Sequence, residues 1–251
     1  DYWVPPIISE ELESMDKEKN PVFENAEAEF YIAKKDGVTV GRIAAMVNWV
    51  EIEEQKKNKL RFGWYDTIDD LEVSKKLLES VIEFGKKRKL EFVDGPVGFS
   101  NMDKAGLLIE GYEELNTMIT WYHYPYQKEH LKKLGFSKLA EWVEYKIKIF
   151  SAEDAPEKVK KFSKIIQQRY ELKVLNFKSR KEIIPYVDKM FELLNVTYSH
   201  LQTYVTIKQY QIDLYKEQFI KYIHPDIIKF CLDKDDNLIA FLITMPSFSR
   251  A

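Results

Sequence analysis

Arg61-Phe62-Gly63-Trp64-Tyr65 is a run typical of a strand, and it leads through Asp69-Asp70 into a long stretch with helical spacing. A second strand, Glu91-Phe92-Val93-Asp94, follows, and then the loop Gly95-Pro96-Val97-Gly98-Phe99-Ser100-Asn101. A strand, helix and strand in this order almost always form a right-handed crossover between parallel strands. We therefore predict that the strands near Phe62 and Phe92 are parallel neighbours joined by a helix from about Asp70 to Lys87.

The connecting helix is predicted to pack one face on a sheet, because its apolar residues fall mainly on one side and its Lys and Glu residues on the other. Asp69 and Glu72 have the spacing of a capping box at its start. The apolar residues are Leu71, Leu77, Leu78, Val81, Ile82 and Phe84. Further on, 126–134 is predicted to be a shorter helix and 137–149 a closing strand or hairpin arm.

Two other runs predict β-hairpins, one over 30–48 with its turn at Asp36-Gly37 and one over 227–245 around Asp235-Asp236-Asn237. Setting Phe230 on Phe30 places Asp236 on Asp36, which suggests two copies of one domain. Pairs of similar hairpins also arise by chance in α/β proteins, so both interpretations stay open. Between the hairpins, the pattern predicts a strand over 170–177 and helices over 180–199 and 207–222.

The polar run from Ser151 to Pro156 favours a domain boundary. We divide the chain into a first domain over 1–150, a connecting segment over 151–169, and the front half of a second domain over 170–251. The two ends of the sequence suggest that it is a segment of a longer protein.

Composition narrows the function classes. The 251 residues carry 38 basic and 41 acidic side chains, a net charge of -3, so we expect neither nucleic acid nor a membrane as a partner. The single cysteine, Cys231, excludes an internal disulfide and a Cys-based zinc site, and we expect no metal. Neither a spanning apolar run nor a signal peptide is evident, which predicts a cytoplasmic location.

The order of strand, helix, strand and helix ending in Leu134-Gly135-Phe136 resembles the second half of the acyl-CoA N-acetyltransferases of the GNAT superfamily. The resemblance implies a mixed-sheet α/β fold in two tandem copies, the second incomplete. It also implies acetyl-CoA or another acyl-CoA as the donor, lying between the strands near Phe62 and Phe92. Trp64, Tyr65, Gly95 and Pro96 would line the donor site, with a backbone N–H of Trp64 or Tyr65 polarising the thioester carbonyl at a bulge.

This sequence departs from the family at two points. The segment from Tyr65 to Glu72 has no glycine to cradle a pyrophosphate, and it carries Asp66, Asp69 and Asp70 instead. Leu131 stands where the family has a tyrosine that protonates the leaving thiolate, so Tyr126 and His130 are the nearest groups able to replace it. An alternative for His130 is an ordinary place on a solvated helix face.

The acceptor is expected near Ser100, Asn101 and Tyr122, because ligands of open α/β sheets bind at the carboxyl ends of strands. The sequence therefore favours an N-acyltransferase that acts on a small-molecule amine or a peptide. Two alternatives stay open: a catalytically inactive module that binds a small molecule or protein in the same cleft, and a scaffold whose cleft is filled by side chains such as Trp64 and Trp121. The oligomeric state is not predicted.

Overall fold

The protein is described by a computed structural model that covers residues 2–117, 119–148, 151–201, 203–219 and 223–244. It is a mixed α/β protein. Of the described residues, one compact unit contains 2–142 and 203–206, and the other contains 143–201 and 207–244.

The first unit contains a four-stranded mixed sheet in the order β1-β2-β3-β4. β1 pairs antiparallel with β2 and β2 with β3, whereas β3 and β4 are parallel. The strands are β1 (Ala26–Lys35), β2 (Val38–Asn48), β3 (Lys59–Thr67) and β4 (Phe92–Asp94). The predicted parallel pair and the predicted turn at Asp36-Gly37 are therefore both confirmed.

Four α-helices belong to this unit: α1 (Ile8–Met15), α2 (Trp49–Glu53), α3 (Leu71–Lys87) and α4 (Pro125–Lys133). α3 is the predicted crossover helix, and α4 is the predicted shorter one. The N-cap of α3 is Asp70, whose carboxylate accepts from the Glu72 N–H at 3.0 Å, so the prediction of Asp69 as the capping residue was wrong by one position.

Two apolar clusters lie on opposite faces of the sheet, because successive side chains of a strand point to opposite sides. On β2, Ile43, Ala45 and Val47 belong to the cluster that contains α3, and Ala44 and Met46 belong to the other. Every residue of β3 except Asp66 is buried, so β3 is the central strand of the unit.

The second unit contains a three-stranded antiparallel sheet in the order β5-β6-β7. Its elements are α5 (Glu157–Arg169), β5 (Lys173–Leu175), α6 (Arg180–Ile183), α7 (Val187–Tyr198), α8 (Gln209–Phe219), β6 (Ile228–Leu232) and β7 (Leu238–Ile243). The hairpin predicted over 227–245 is confirmed in its described part. Short 3₁₀ turns lie at Pro21–Glu24, Ala152–Asp154, Ile184–Tyr186 and Pro225–Ile227.

The two hairpins share a local feature, since Asp36 and Asp236 both have a left-handed backbone, with φ of 51° and 62°. Their loops differ: Lys35 pairs with Val38 across two residues, whereas Leu232 pairs with Leu238 across a longer loop. The division into two copies of one domain stays a prediction.

The strand predicted over 137–149 was wrong for the residues that are described. Residues 137–148 form no regular structure, and their larger apolar side chains are exposed, among them Tyr145 and Ile147. An alternating pattern forms a strand only when a neighbouring strand supplies its hydrogen bonds, and no such neighbour lies within the described part. In the described ranges, no helix combines the length and the apolar character needed to cross a bilayer.

Candidate functional site

The central strand β3 contains a β-bulge at Trp64 and Tyr65. Arg42 pairs with Asp66 and Ala44 pairs with Gly63, so two residues of β3 lie opposite the single residue Ile43. Trp64 has a φ of 46°, a left-handed conformation that is strained for a bulky side chain by about 1–3 kcal/mol.

The surroundings of Trp64 explain how the strain is tolerated. Its ring is buried against the rings of Phe99 and Trp121, with centroids 5.7 and 6.0 Å away. Its Nε1–H donates to the Glu11 carboxylate at 2.8 Å. A buried aromatic ring stabilises by several kcal/mol, which exceeds the strain.

The bulge reverses the alternation of β3. Leu60 and Phe62 face the α3 side, and regular alternation would send Trp64 there too. Instead Trp64 lies in the opposite cluster, and Tyr65 faces α3. Neither Trp64 nor Tyr65 therefore has a partner in the register of β3 with β2.

The chain after β4 continues beside β3 for a short distance. The Val97 N–H donates to the Phe62 carbonyl at 2.8 Å. A Cβ added at Gly95 would lie 2.4 Å from the Phe62 carbonyl oxygen, so this close approach requires glycine. Gly95 and Pro96, two of the predicted donor residues, thus lie directly beside the strand that carries the other two.

Two side chains from the start of α4 donate hydrogen bonds to backbone carbonyls of β3 that lie after Gly63. Gln127 Nε2 donates to the Tyr65 carbonyl at 3.1 Å, and the Tyr126 hydroxyl donates to the Thr67 carbonyl at 2.7 Å. The start of α4 is therefore attached to β3 next to the bulge. Burial raises the pKa of the Tyr126 hydroxyl, which keeps this group protonated at neutral pH.

His130 lies in a chain of polar groups that is buried except at Asp69. Its Nδ1 is 2.8 Å from Ser74 Oγ, which accepts from the Tyr65 hydroxyl at 2.8 Å, and its Nε2 is 3.2 Å from Asp69 Oδ1. The alternative of a solvated helix face was wrong, since His130 is only 5% exposed. Although the order Asp69, His130, Ser74 matches a hydrolytic triad, Ser74 is fully buried, so the chain joins α3 to α4 and offers no accessible nucleophile.

The acidic segment at the head of α3 is partly neutralised. Arg42 lies 2.7 Å from Asp66, and Lys35 lies 3.2 Å from Asp70. The Asp70 carboxylate accepts a hydrogen bond from the Glu72 N–H, which is one of the backbone N–H groups that a phosphate would bind at the start of a helix. The residues present fit a pyrophosphate poorly here.

The three predicted acceptor residues all make hydrogen bonds inside the first unit. The Asn101 side chain donates to the Val205 carbonyl and accepts from the Val205 N–H, and the Tyr122 hydroxyl donates to the Tyr112 carbonyl. Ser100 is buried, and its Oγ accepts from the Met102 N–H. Their role in acceptor binding stays a prediction.

A buried charge network near the start of β3 was missed by the sequence analysis. Arg61 bonds Glu51 through Nε and Nη2, at 2.7 and 2.9 Å, and donates from Nη1 to the Gly98 carbonyl at 2.9 Å. Lys59 lies 3.0 Å from Glu51 and 2.8 Å from Asp94. Burial by itself would raise the pKa of the Glu51 carboxyl, but Arg61 and Lys59 hold it below its ordinary value.

The only sequence signal for this network is that Lys59 and Arg61 alternate with apolar residues within a strand. The same alternation is equally typical of a strand with one face toward solvent. The network fixes the loop after β4 to β3 through Gly98. It therefore positions the loop that carries Ser100 and Asn101, two of the predicted acceptor residues.

His123 belongs to an aromatic-rich segment that the sequence suggests either caps the sheet or forms part of a pocket. It is 2% exposed, its Nδ1 accepts from the Leu108 N–H at 3.3 Å, and its ring lies 6.1 Å from that of Trp121. Burial lowers the pKa of the imidazole to about 4. His123 is therefore neutral at pH 7, with its proton on Nε2. Within the described ranges, no group of three or more His, Cys, Asp or Glu side chains is placed to hold a metal ion.

Comparison with known proteins gives two relatives of low identity. "Protein YghO" of Escherichia coli (strain K12) is 25% identical over 253 residues, which is 99% of this chain and 62% of that protein. "Bacterial ceramide synthase" of Caulobacter vibrioides (strain NA1000 / CB15N) is 24% identical over 146 residues, 57% of this chain and 38% of that protein. The chain thus spans less than two thirds of each relative. No family model and no solved structure matches it.

Proposed function

We propose that this chain contributes the catalytic core of an N-acyltransferase with a GNAT-like fold, which transfers an acyl group from acyl-CoA to an amine. Because the acidic start of α3 fits a pyrophosphate poorly, the proposal places only the thioester end of the donor, at the bulge of β3. The bulge at Trp64 and Tyr65, in a central strand with a parallel neighbour, carries the proposal. A bulge frees backbone N–H groups of one strand to face a ligand instead of the next strand.

One of the two relatives supports the same class of reaction. A ceramide is an amide of a long-chain amino alcohol, so the name of the Caulobacter relative denotes formation of an amide from an acyl group and an amine. On this basis the proposed acceptor class includes long-chain amino alcohols as well as the small amines and peptides considered above.

In the proposed reaction the amine nitrogen attacks the thioester carbonyl carbon and forms the C–N bond. The carbonyl oxygen becomes an oxyanion, which an N–H of Trp64 or Tyr65 stabilises. The C–S bond then breaks as the carbonyl re-forms, and the leaving thiolate takes a proton from a side-chain acid. The proton that the nitrogen loses passes to solvent, and solvent returns one to the acid.

Tyr126 is the proposed donor of the proton to the thiolate, since its half-buried hydroxyl lies beside β3. His130, by contrast, is buried between Ser74 and Asp69. The Tyr126 O–H would leave the Thr67 carbonyl when it protonates the thiolate.

The experiment is a thiol-release assay with this chain, a short-chain and a long-chain acyl-CoA, and a panel of a long-chain amino alcohol, a short amine and a peptide. Release that depends on both protein and amine, with amide product detected by mass spectrometry, is the expected result. Absence of release in every pairing, together with no rise of Tm on adding either acyl-CoA, would contradict the proposal.

A second candidate function is a module that binds a ligand without catalysis. Three side chains favour this alternative, because each is hydrogen-bonded to a backbone group that acyl-CoA could otherwise contact. Asp70 accepts from the Glu72 N–H, Gln127 donates to the Tyr65 carbonyl, and Tyr126 donates to the Thr67 carbonyl. A rise of Tm with free CoA or with the amine alone, without thiol release, would favour this alternative.

A further inference from the structure

Helix α5 (Glu157–Arg169) is amphipathic, yet it has no buried residue. Its apolar side chains follow the spacing i, i+3 and i+7, which places Val159, Phe162 and Ile166 on one face. Their exposed fractions are 58%, 52% and 46%, and the adjacent Ile165 is 44% exposed. An apolar stripe of this kind ordinarily packs on another element, so α5 presents a surface that lacks a partner in the described part of the chain.

The charge of α5 is opposite in sign to that of the whole protein. Residues 157–169 include one acidic residue, Glu157, and five basic ones, Lys158, Lys160, Lys161, Lys164 and Arg169, a net charge of +4 against -3 for the full sequence. Glu157 is paired with Lys160 at 2.9 Å. Lys161 and Lys164 form no ion pair with any residue that the structure describes.

The positions of the charges match those of a helix lying flat in a membrane interface. Lys160, Lys161 and Lys164 lie on the side of the helix opposite the apolar stripe, as the 100° spacing of an α-helix requires. Lys158 and Arg169 lie at the two ends of the helix on its apolar side, near aromatic rings, with Lys158 Nζ 5.9 Å from the Phe162 ring and the Arg169 guanidinium 5.5 Å from the Tyr170 ring. Basic side chains in such positions lie along apolar surface while their charges reach the headgroups.

We propose that α5 docks on the surface of an anionic lipid bilayer, with Phe162 and Ile166 among the acyl chains and the lysines at the headgroups. Charge complementarity selects this occupant. A second copy of α5 placed face to face would bring the Lys158 and Arg169 side chains of the two helices together. With 13 residues, α5 is too short to span a bilayer, which needs roughly 20. The net charge of the whole chain led to the expectation that no membrane is a partner, and this proposal replaces that expectation. It does not depend on the proposed acyl transfer.

Vesicle flotation of the full chain tests the proposal. We expect binding to phosphatidylcholine vesicles that contain 30% phosphatidylglycerol, weaker binding at higher salt, and little binding to phosphatidylcholine alone. The double variant Lys161→Glu/Lys164→Glu should bind at least roughly thirtyfold more weakly, since each lysine near such a surface is worth about a fivefold factor. The double variant Phe162→Ser/Ile166→Ser should lose binding as well.

Control variants carry changes of the same kind outside α5. Lys17→Glu/Lys19→Glu alters exposed lysines outside α5, and Val196→Ser removes an apolar side chain that is 73% exposed on α7, so neither should change vesicle binding. Equal binding to both kinds of vesicle, or equal binding by the α5 variants and the controls, would overturn the proposal. Sedimentation gives a further test. If the protein bound no vesicles and formed a dimer that the Phe162→Ser/Ile166→Ser variant did not form, the proposal would be overturned, because the apolar face of α5 would then bind a second copy of the chain.

Discussion

The side-chain amide of Gln127 donates a hydrogen bond to the backbone carbonyl of Tyr65 over 3.1 Å, although 62 positions separate the two residues. The same side chain accepts from the Tyr124 N–H at 2.8 Å and so caps α4. One buried glutamine therefore both caps the first turn of α4 and attaches the helix to the bulged strand. The position of Tyr126, the proposed proton donor, depends on this attachment.

Gln127→Met keeps the volume of the side chain but removes both hydrogen bonds. We expect the free energy of unfolding to fall by about 2–4 kcal/mol, because a helix cap is lost and a buried carbonyl is left without a partner. Urea unfolding at pH 7 measures the change. Lys128→Met, at an exposed neighbouring position of α4, is the control and should change stability by less than about 0.5 kcal/mol. Equal stabilities for the two variants would show that the Gln127 contacts contribute nothing.

Glu51→Gln should destabilise the first unit strongly, by about 3–5 kcal/mol, since it leaves the buried Arg61 and Lys59 without their shared carboxylate. Asp66→Asn removes the partner of Arg42 from an exposed pair, which should lower stability by less than about 1 kcal/mol. Chemical denaturation of both variants gives the comparison. A loss for Glu51→Gln no larger than that for Asp66→Asn is the result that would refute the buried network as a stabilising contact.

His123 should make stability depend on pH in a defined window. Its pKa is lowered to about 4 in the folded state, so the unfolded chain binds the proton first as the pH falls. The resulting stability is fully present above about pH 6.5 and is lost as the pH falls toward 4, by about 3 kcal/mol in all.

His123→Asn keeps an acceptor near the Leu108 N–H and removes the titration. The difference in unfolding free energy between the wild-type protein and this variant should shrink by about 3 kcal/mol between pH 7.5 and pH 4, measured by urea unfolding at several pH values. His200→Asn, at an exposed histidine, serves as the control. A difference that stays constant with pH would rule out the buried neutral imidazole.

Tyr126→Phe tests the proposed chemistry in the thiol-release assay. Removal of the hydroxyl should lower kcat by roughly a hundredfold or more, with little change in KM for the donor. The lost hydrogen bond to the Thr67 carbonyl should lower the free energy of unfolding by only about 1 kcal/mol, so the variant should remain folded. Tyr145→Phe, at a side chain that is 80% exposed, should leave both quantities unchanged.

His130→Gln, in the same assay, separates the two candidate acids. We expect a loss of stability and a kcat within about threefold of wild type, because His130 joins α3 to α4 through Ser74. Unchanged turnover in Tyr126→Phe with a large loss in His130→Gln would reverse the assignment.

Several elements follow from the sequence by itself. The hairpin turn at Asp36-Gly37, the helix Leu71–Lys87 and the parallel pairing of β3 with β4 were all predicted. Each depends on a short-range rule: turn chemistry, the 3.6-residue apolar period, or the handedness of a crossover. Such rules act among neighbouring residues, so a single sequence contains them.

Only the tertiary structure decided how these elements meet. Two residues at the bulge lie opposite Ile43, Gln127 reaches Tyr65, and the charges of Lys59 and Arg61 are buried against Glu51 instead of facing water. The prediction over 137–149 was wrong in its described part for the same reason, since an alternating segment becomes a strand only beside a partner. Strand register and the burial of a polar side chain depend on contacts between residues far apart in the chain, and local patterns do not contain that information.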